Sequence, residues 1–259
     1  MKRPNRLYSR ALLVLLPTLI VGLAIPFNAV RAEVPSGPPK FGNPLNIDNA
    51  FFPFQPGGEK DFTGSDHGTK TEAKDSYLTA TRTFRLNGKK VACRILVEEA
   101  YEDGELVERS FNYFAQADDD TVYYFGEVVN NYVNGVIDNH HGSWLGGGAT
   151  PPSDPPAAEV GNADDPAVFM PANPELGDVF KPEDLFPIVD ETAEVVGVDL
   201  DVLVPAGKYD GAIAVEESTR LAPGTELKWY APGVGVVKVR TKGETLRLEF
   251  STLVQPQDE

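Results

Sequence analysis

The chain has 259 residues, with 39 acidic and 23 basic side chains and a formal charge of −16. This length suits one large domain or two small ones. The negative charge repels phosphate backbones, so we expect no nucleic-acid partner. The single cysteine, Cys93, excludes an intramolecular disulfide and a cysteine-rich zinc site.

The first 32 residues have the features of a secretory signal peptide. A basic start precedes an apolar stretch from Ala11 to Ile25, and Val30 and Ala32 supply the small residues of a cleavage site. We therefore expect export to the periplasm or extracellular space, with cleavage near Ala32. The alternative is an uncleaved anchor, but the stretch is shorter than the about 20 residues of a spanning helix, and Pro17 interrupts it. We expect no integral membrane span after cleavage, which changes the formal charge to −21 by removing five basic residues and no acidic ones.

The remaining chain divides into an arm, a β domain and a short tail. Residues 33–45 are rich in proline and glycine and favour an extended arm. Residues 46–253 favour one β domain, because β-forming runs alternate with the turn dipeptides Asn87-Gly88, Asp103-Gly104 and Asn134-Gly135. Residues 254–259 form the tail.

A Pro/Gly/Asp-rich excursion at about residues 146–174 interrupts the strand pattern. Beyond it, residues 182–191 favour a helical turn, although Pro187 limits its length, and strands then resume. The sequence predicts a mainly β fold, an antiparallel meander that forms a curved sheet, barrel or sandwich. Two β subdomains divided near residues 146–168 are the alternative.

Several motifs together resemble a widespread group of exported bacterial β-rich proteins of unknown function. They are YFAQADDDTVYYFGE, NGVIDNHHGSW, FMPANPELGD and KWYAPGVGVVK, with further similarity in NIDNAFFPFQPG, AYEDGELVE and VPAGKYDG. The resemblance covers roughly residues 46–250. It implies export and a β fold, and it implies no activity, cofactor or catalytic residue.

The adjacent pair His140 and His141 is the first candidate site. Neighbouring residues of a strand point to opposite faces, so the two side chains cannot readily bind one ion. We interpret them as polar residues at a strand end and assign no metal. The alternative is a site that combines His67 and one of the pair with Asp138 or Glu127.

Aromatic residues supply the second candidate site. Tyr113, Tyr123 and Phe125 lie in neighbouring predicted strands, and Trp144 and Trp229 add large surfaces. Cross-strand packing in a β core explains such residues. The functional alternative is a concave sheet that uses them to line an apolar or carbohydrate pocket.

Catalytic motifs are scarce. No serine lies in a nucleophile elbow, and Cys93 lies on the more apolar face of a predicted strand, as expected of a core residue. The acid pairs Glu98/Glu99 and Glu216/Glu217 are strand neighbours that point opposite ways, so neither is a ready glycosidase pair.

These observations predict an exported, non-enzymatic protein without a cofactor, acting as an envelope or extracellular binding or interaction module. Its partner would be an unknown protein or a small hydrophobic ligand. Two alternatives stay open. One is a carrier that holds a hydrophobic ligand in a half-barrel cavity, and the other is a hydrolase whose carboxylates converge only in the folded chain.

Overall fold

A computed structural model describes residues 34–35 and 38–254. The predicted signal peptide (residues 1–32) and all of the predicted tail except Val254 lie outside these residues. Within the described part, no helix has the length and apolar character needed to cross a membrane.

Strands dominate the regular structure, and the described residues contain one short 3₁₀ turn, Ala157–Glu159. The strands are β1 (Glu59–Asp66), β2 (Thr69–Leu86), β3 (Lys89–Glu102), β4 (Glu105–Gln116), β5 (Val122–Val133), β6 (Val136–Asn139), β7 (Trp144–Gly146), β8 (Gly161–Ala163), β9 (Ala167–Met170), β10 (Val179–Leu185), β11 (Val189–Val204), β12 (Gly207–Ser218), β13 (Thr225–Ala231), β14 (Gly235–Arg240) and β15 (Glu244–Ser251).

All these strands belong to one sheet, in the order β10-β11-β12-β13-β14-β15-β1-β2-β3-β4-β5-β7-β8, with β6 and β9 also paired to β5. The pairings are antiparallel except that of β7 with β8. The sheet curls until β10 lies against β9 and β5, and we call this junction the seam. The prediction of a mainly β meander curved into a barrel-like sheet is confirmed.

The hairpin turns form where the turn dipeptides predict them. Asn87, Asp103 and Asn134 have φ angles of 50°, 47° and 53°, and the glycine after each also has a positive φ. Two consecutive residues with positive φ match the right-handed twist of the strands that they connect.

Two segments differ from the sequence prediction. Residues 63–70 have a loop-like sequence, but all of them except the turn residues His67 and Gly68 lie in β1 or β2, whose ladder continues to Asp66 and Thr69. Residues 182–191 favour a helical turn, but residues 182–185 lie in β10, a turn follows at residues 186–188, and residues 189–191 begin β11. Since β10 is an edge strand, Pro182 can lie in it without interrupting a ladder on both sides.

The predicted excursion, residues 146–174, contains the 3₁₀ turn, β8 and β9. It is fastened to β2 by Arg82, which donates two hydrogen bonds of 2.7 Å to Asp154. The Asp154 side chain is 3% exposed.

The barrel interior is apolar at one end. Segment 47–54 lies across this end, and its buried Phe52 packs on Phe114 and Phe169 with ring centroids 4.7 and 4.6 Å apart. Gln116 fixes the segment by accepting hydrogen bonds from the backbone N–H groups of Asp48 and Asn49. We call this packed end the apolar floor.

Candidate functional site: a polar belt inside the barrel

Charged and polar side chains form a band inside the barrel, beyond the apolar floor. The strand register brings them together, because residues paired across neighbouring strands share a face. We call the band the polar belt; it consists of Lys60, Asp75, Glu98, Asn112, Glu127, Glu183, Glu191, Glu217 and Lys228.

The pairings trace the belt from strand to strand. Lys60 of β1 is opposite Asp75 of β2, and Asp75 is opposite Glu98 of β3. Asn112 of β4 is opposite Glu127 of β5. On the other side of the seam, Glu183 of β10 is opposite Glu191 of the neighbouring strand β11. Glu217 of β12 and Lys228 of β13 complete the band, and together the belt holds six carboxyl groups and two ammonium groups.

A β-bulge turns Glu127 inward. Asn112 pairs with Glu127 and Phe114 pairs with Tyr124, so β5 has two residues, Phe125 and Gly126, opposite one residue of β4. Tyr124 and Glu127 therefore face the same interior although three positions separate them. Gly126 adopts φ +105°, and a Cβ atom there would lie 2.1 Å from the Trp144 carbonyl oxygen.

Glu127 and Glu183 meet across the seam. Their carboxyl groups lie close enough for each to shift the pKa of the other. Burial, and then the charge of Glu183, raise the pKa of Glu127 well above its usual range. Burial also raises the pKa of Glu183, to about 7. The pair thus takes up protons at a higher pH than isolated glutamates do.

A second acidic group surrounds Lys228. Its ammonium group forms ion pairs with Glu217 and, at 3.1 Å, with Glu226. Burial alone would lower the pKa of Lys228, but the surrounding carboxylates raise it, so the lysine stays charged. Burial raises the pKa of Glu191 to about 7 and that of Glu217 well above its usual range. The crowding of these carboxyl groups thus favours proton uptake by the group as a whole.

Glu98 connects the belt to solvent. Its carboxylate accepts a hydrogen bond of 2.9 Å from the Asn112 amide, and the Tyr124 hydroxyl donates to the amide oxygen of the same asparagine. Burial, and then the charge of Asp75, raise the pKa of Glu98 to about 8. The residue is nevertheless exposed. The belt is therefore in contact with solvent at Glu98.

Trp144 presents an unused donor beside the belt. The residue is 1% exposed, and its indole N–H makes no hydrogen bond of acceptable geometry. The N–H still lies close enough to the Glu183 carboxyl group to favour the ionised form of that acid. A buried donor without an acceptor is costly, so the site can accommodate a further polar atom.

The aromatic residues predicted to line a pocket do not share one cavity. Tyr113, Tyr123 and Phe125 pack in a cluster on the other face of the sheet, with Phe84 and Phe41 among their neighbours. Trp144 lies in the barrel interior beside the belt. Trp229 lies on another part of the sheet and contacts two basic side chains.

The histidines also lie apart from the belt. His67 occupies the β1–β2 turn, and its Nδ1 is 2.6 Å from Asp66. His140 uses Nδ1 to donate a hydrogen bond of 2.8 Å to the Val129 carbonyl oxygen, while His141 is exposed. The residues that the structure describes contain no group of three or more His, Cys, Asp or Glu side chains placed to hold a metal ion, and Asp138 belongs to none.

An outer cleft of about 370 Å³ brings His140 near Ser153 and Asp154. These three residue types suggest a hydrolytic triad, but their contacts do not support one. His140 Nδ1 is bonded to a backbone carbonyl, Asp154 is held by Arg82, and the Ser153 hydroxyl donates to the Thr150 carbonyl. The cleft therefore lacks an activated nucleophile.

Sequence reasoning named Glu98 and Glu217 but dismissed both as members of sequence-adjacent pairs. The two members of each pair do point to opposite faces, since Glu99 turns away from the interior and binds Arg109 and Tyr101. One acid of each pair therefore lies in the interior. Glu183 was missed because it lies in a strand that the sequence does not predict. The glycine beside Glu127 was the available signal for a bulge.

No protein-family profile matches the chain, and no curated protein matches its sequence. The chain is similar to a solved structure from Bacteroides fragilis NCTC 9343, a protein inferred to be exported and described as having a YmcC-like fold. The match has a TM-score of 0.41 and 16% identity, and it covers 79% of this chain and 99% of the other. At this level of similarity the match assigns no function.

Proposed function

We propose that this protein is an exported binding protein whose polar belt holds a small organic cation. One observation carries the proposal. Six carboxyl groups converge inside the barrel, beside the unused Trp144 donor and within reach of solvent at Glu98. This arrangement suits a ligand with at least one ammonium group and a hydrogen-bond acceptor.

The protonation of the belt supports a cationic ligand. Burial raises the pKa of Glu127, Glu183 and Glu191, because the interior does not readily hold every carboxylate as an anion, so the belt favours proton uptake. An incoming cation would replace such protons as the compensating charge. Lys228 already provides this compensation on one side of the belt.

Export belongs to the proposal and is supported by the N-terminal sequence. A basic start, an apolar stretch and a small-residue cleavage site ending at Ala32 are the features of a secretory signal. The strongly negative remainder of the chain favours attraction of cations over anions.

The interior favours this ligand over the hydrophobic ligand of the carrier alternative. Phe52, Phe114 and Phe169 are packed ring against ring in the apolar floor, with centroids 4.6 to 4.7 Å apart. A ligand that entered the barrel would therefore meet the polar belt rather than an apolar surface.

Calorimetric titration with 1,4-diaminobutane tests the proposal, with butane-1,4-diol as an uncharged ligand of the same length. We expect binding of the diamine only. Titration in two buffers of different ionisation enthalpy should show release of protons from the protein.

The matched variants are Glu217→Gln, inside the barrel, and Glu216→Gln, its exposed neighbour on the same strand. Both remove one negative charge. We expect the first to weaken diamine binding by about tenfold and the second by less than twofold. Equal effects, or equal binding of diamine and diol, would contradict the proposal.

A second candidate function is hydrolysis, favoured by the proximity of the Glu127 and Glu183 carboxyl groups and by their raised pKa values. Two carboxyl groups with one proton form the acid–base pair of aspartic proteases. In such a mechanism Glu183 would take a proton from water, while Glu127 would give its proton to the substrate carbonyl oxygen.

Fluorescently labelled casein, incubated at pH 5 to 7, tests this candidate. Turnover that is lost in Glu127→Gln and kept in Glu99→Gln would support hydrolysis. The candidate fails if the wild-type protein produces no cleavage.

A further inference from the structure

Three basic side chains gather around Trp229 on the face of the sheet opposite the polar belt. The register pairs Trp229 of β13 with Lys238 of β14, and Lys238 with Arg247 of β15. Arg240 follows Lys238 by two positions and therefore shares its face. We call Trp229, Lys238, Arg240 and Arg247 the cationic patch.

The three cations of the patch have no carboxylate partner among the residues that the structure describes, although the chain has 39 acidic residues. Glu249, the next acidic residue on β15, accepts a hydrogen bond of 2.5 Å from Thr63 instead. Basic residues elsewhere do form ion pairs, namely Lys60, Lys70, Arg82, Arg109, Lys181, Lys208, Arg220 and Lys228.

The patch is compact. The Lys238 ammonium group lies 4.5 Å from the centroid of the Trp229 ring, and the Arg240 guanidinium group lies 5.3 Å from it. Burial, and then the charges of Arg240 and Arg247, lower the pKa of Lys238. The cations therefore repel one another, and a bound anion would relieve this repulsion.

We propose that the cationic patch binds the phosphate group of a small phosphate ester. Arg240 and Arg247 carry planar guanidinium groups that bind phosphate through two parallel hydrogen bonds. Side chains paired across neighbouring strands stand about 5 Å apart, so one dianionic group can contact all three cations. The charge of the whole chain disfavours an extended anionic surface but not a compact ligand.

Calorimetric titration of the full chain with glycerol 3-phosphate, at low and moderate salt, tests the proposal. The patch variant is Lys238→Gln, Arg240→Gln and Arg247→Gln combined. The control variant is Arg85→Gln, Lys89→Gln and Lys90→Gln, which removes three charges from the tip of the β2–β3 hairpin. The two variants have the same net charge, so a non-specific charge effect would weaken binding equally.

We expect salt-sensitive binding that falls about 100-fold in the patch variant and less than threefold in the control. Circular dichroism spectra and thermal melting would establish that both variants are folded. Absence of wild-type binding would overturn the proposal, and so would equal losses in the two variants. Binding to phosphatidylglycerol vesicles but not to glycerol 3-phosphate would also overturn it, because the source would then be a lipid surface.

Discussion

The carboxyl groups of Glu127 and Glu183 meet across the junction where the two ends of the sheet close, and each raises or lowers the pKa of the other. β5 and β10 are not neighbours in the hydrogen-bonded strand order. The two glutamates therefore join strands that no backbone ladder connects. Their protonation is coupled to closure of the barrel.

Stability should fall as the pH rises from 5 to about 8.5. Burial raises the pKa of Glu183 and Glu191 to about 7 and that of Glu98 to about 8, from usual values near 4.5. An acid whose pKa is higher in the folded state stabilises the fold. The stabilisation is complete at a pH below the pKa of the unfolded state, and it is lost as the pH rises through the pKa of the folded state. Each proton released lowers the unfolding free energy by up to about 1.4 kcal/mol per pH unit, and by less for the partly exposed acids, which water screens.

Thermal melting in buffers of constant ionic strength measures this effect. We expect a fall of several degrees, since about 1 kcal/mol corresponds to roughly 2–4 °C for a domain of this size. Glu127→Gln should reduce the fall, because the amide still donates to Glu183 but cannot ionise. Glu99→Gln is the control. A melting temperature that stays level or rises over this range would contradict the role assigned to the belt.

The affinity for diamine should rise with pH. If binding displaces protons from acids with pKa values of about 7 to 8, each displaced proton strengthens binding by up to about tenfold per pH unit below those values. Calorimetric titrations at pH 6, 7 and 8 provide the measurement. An affinity independent of pH would show that the bound cation does not replace protons.

Gly126→Ala should destabilise the fold and disturb the belt. The added Cβ would lie 2.1 Å from the Trp144 carbonyl oxygen, and φ +105° disfavours a side chain in any case. We expect a loss of about 3 kcal/mol or more. Gly88→Ala is the matched control, since a Cβ there meets nothing within 4 Å and only the φ of +78° is unfavourable. Its loss should be about 1 kcal/mol, and urea unfolding of both variants makes the comparison.

Asp154→Ala should loosen the excursion from the barrel. The substitution removes the carboxylate whose two oxygens accept hydrogen bonds from the half-buried Arg82 guanidinium. Loss of one partner from such a buried pair lowers the unfolding free energy by about 3 kcal/mol. Limited proteolysis should then cut within residues 146–166 faster than in the wild-type protein. Asp201→Ala, which breaks an exposed pair with Lys208, should leave the digestion rate unchanged. Equal protection in Asp154→Ala would show that other contacts hold the excursion.

The sequence predicts the hairpins well because local chemistry decides them. Asn87 and Gly88, for example, adopt the positive φ angles of a tight turn without help from distant residues. The candidate site depends on contacts between strands that are far apart in the sequence. It also depends on two irregularities in strand pairing, one at Gly126 and one near Pro182. A bulge reverses which residues face inward, so alternation alone cannot place Glu127 and Glu183 together.

The apolar floor constrains the order in which the barrel can assemble. Segment 47–54 precedes β1 in the chain, yet Gln116, which fixes it, comes 67 or more positions later. The Asn49 amide also donates to the Pro171 carbonyl, 122 positions away. The segment must therefore wait, with Phe52 exposed to water, until β4, β5 and the excursion are in place. These long separations predict that the part closing one end of the barrel reaches its native position late in folding.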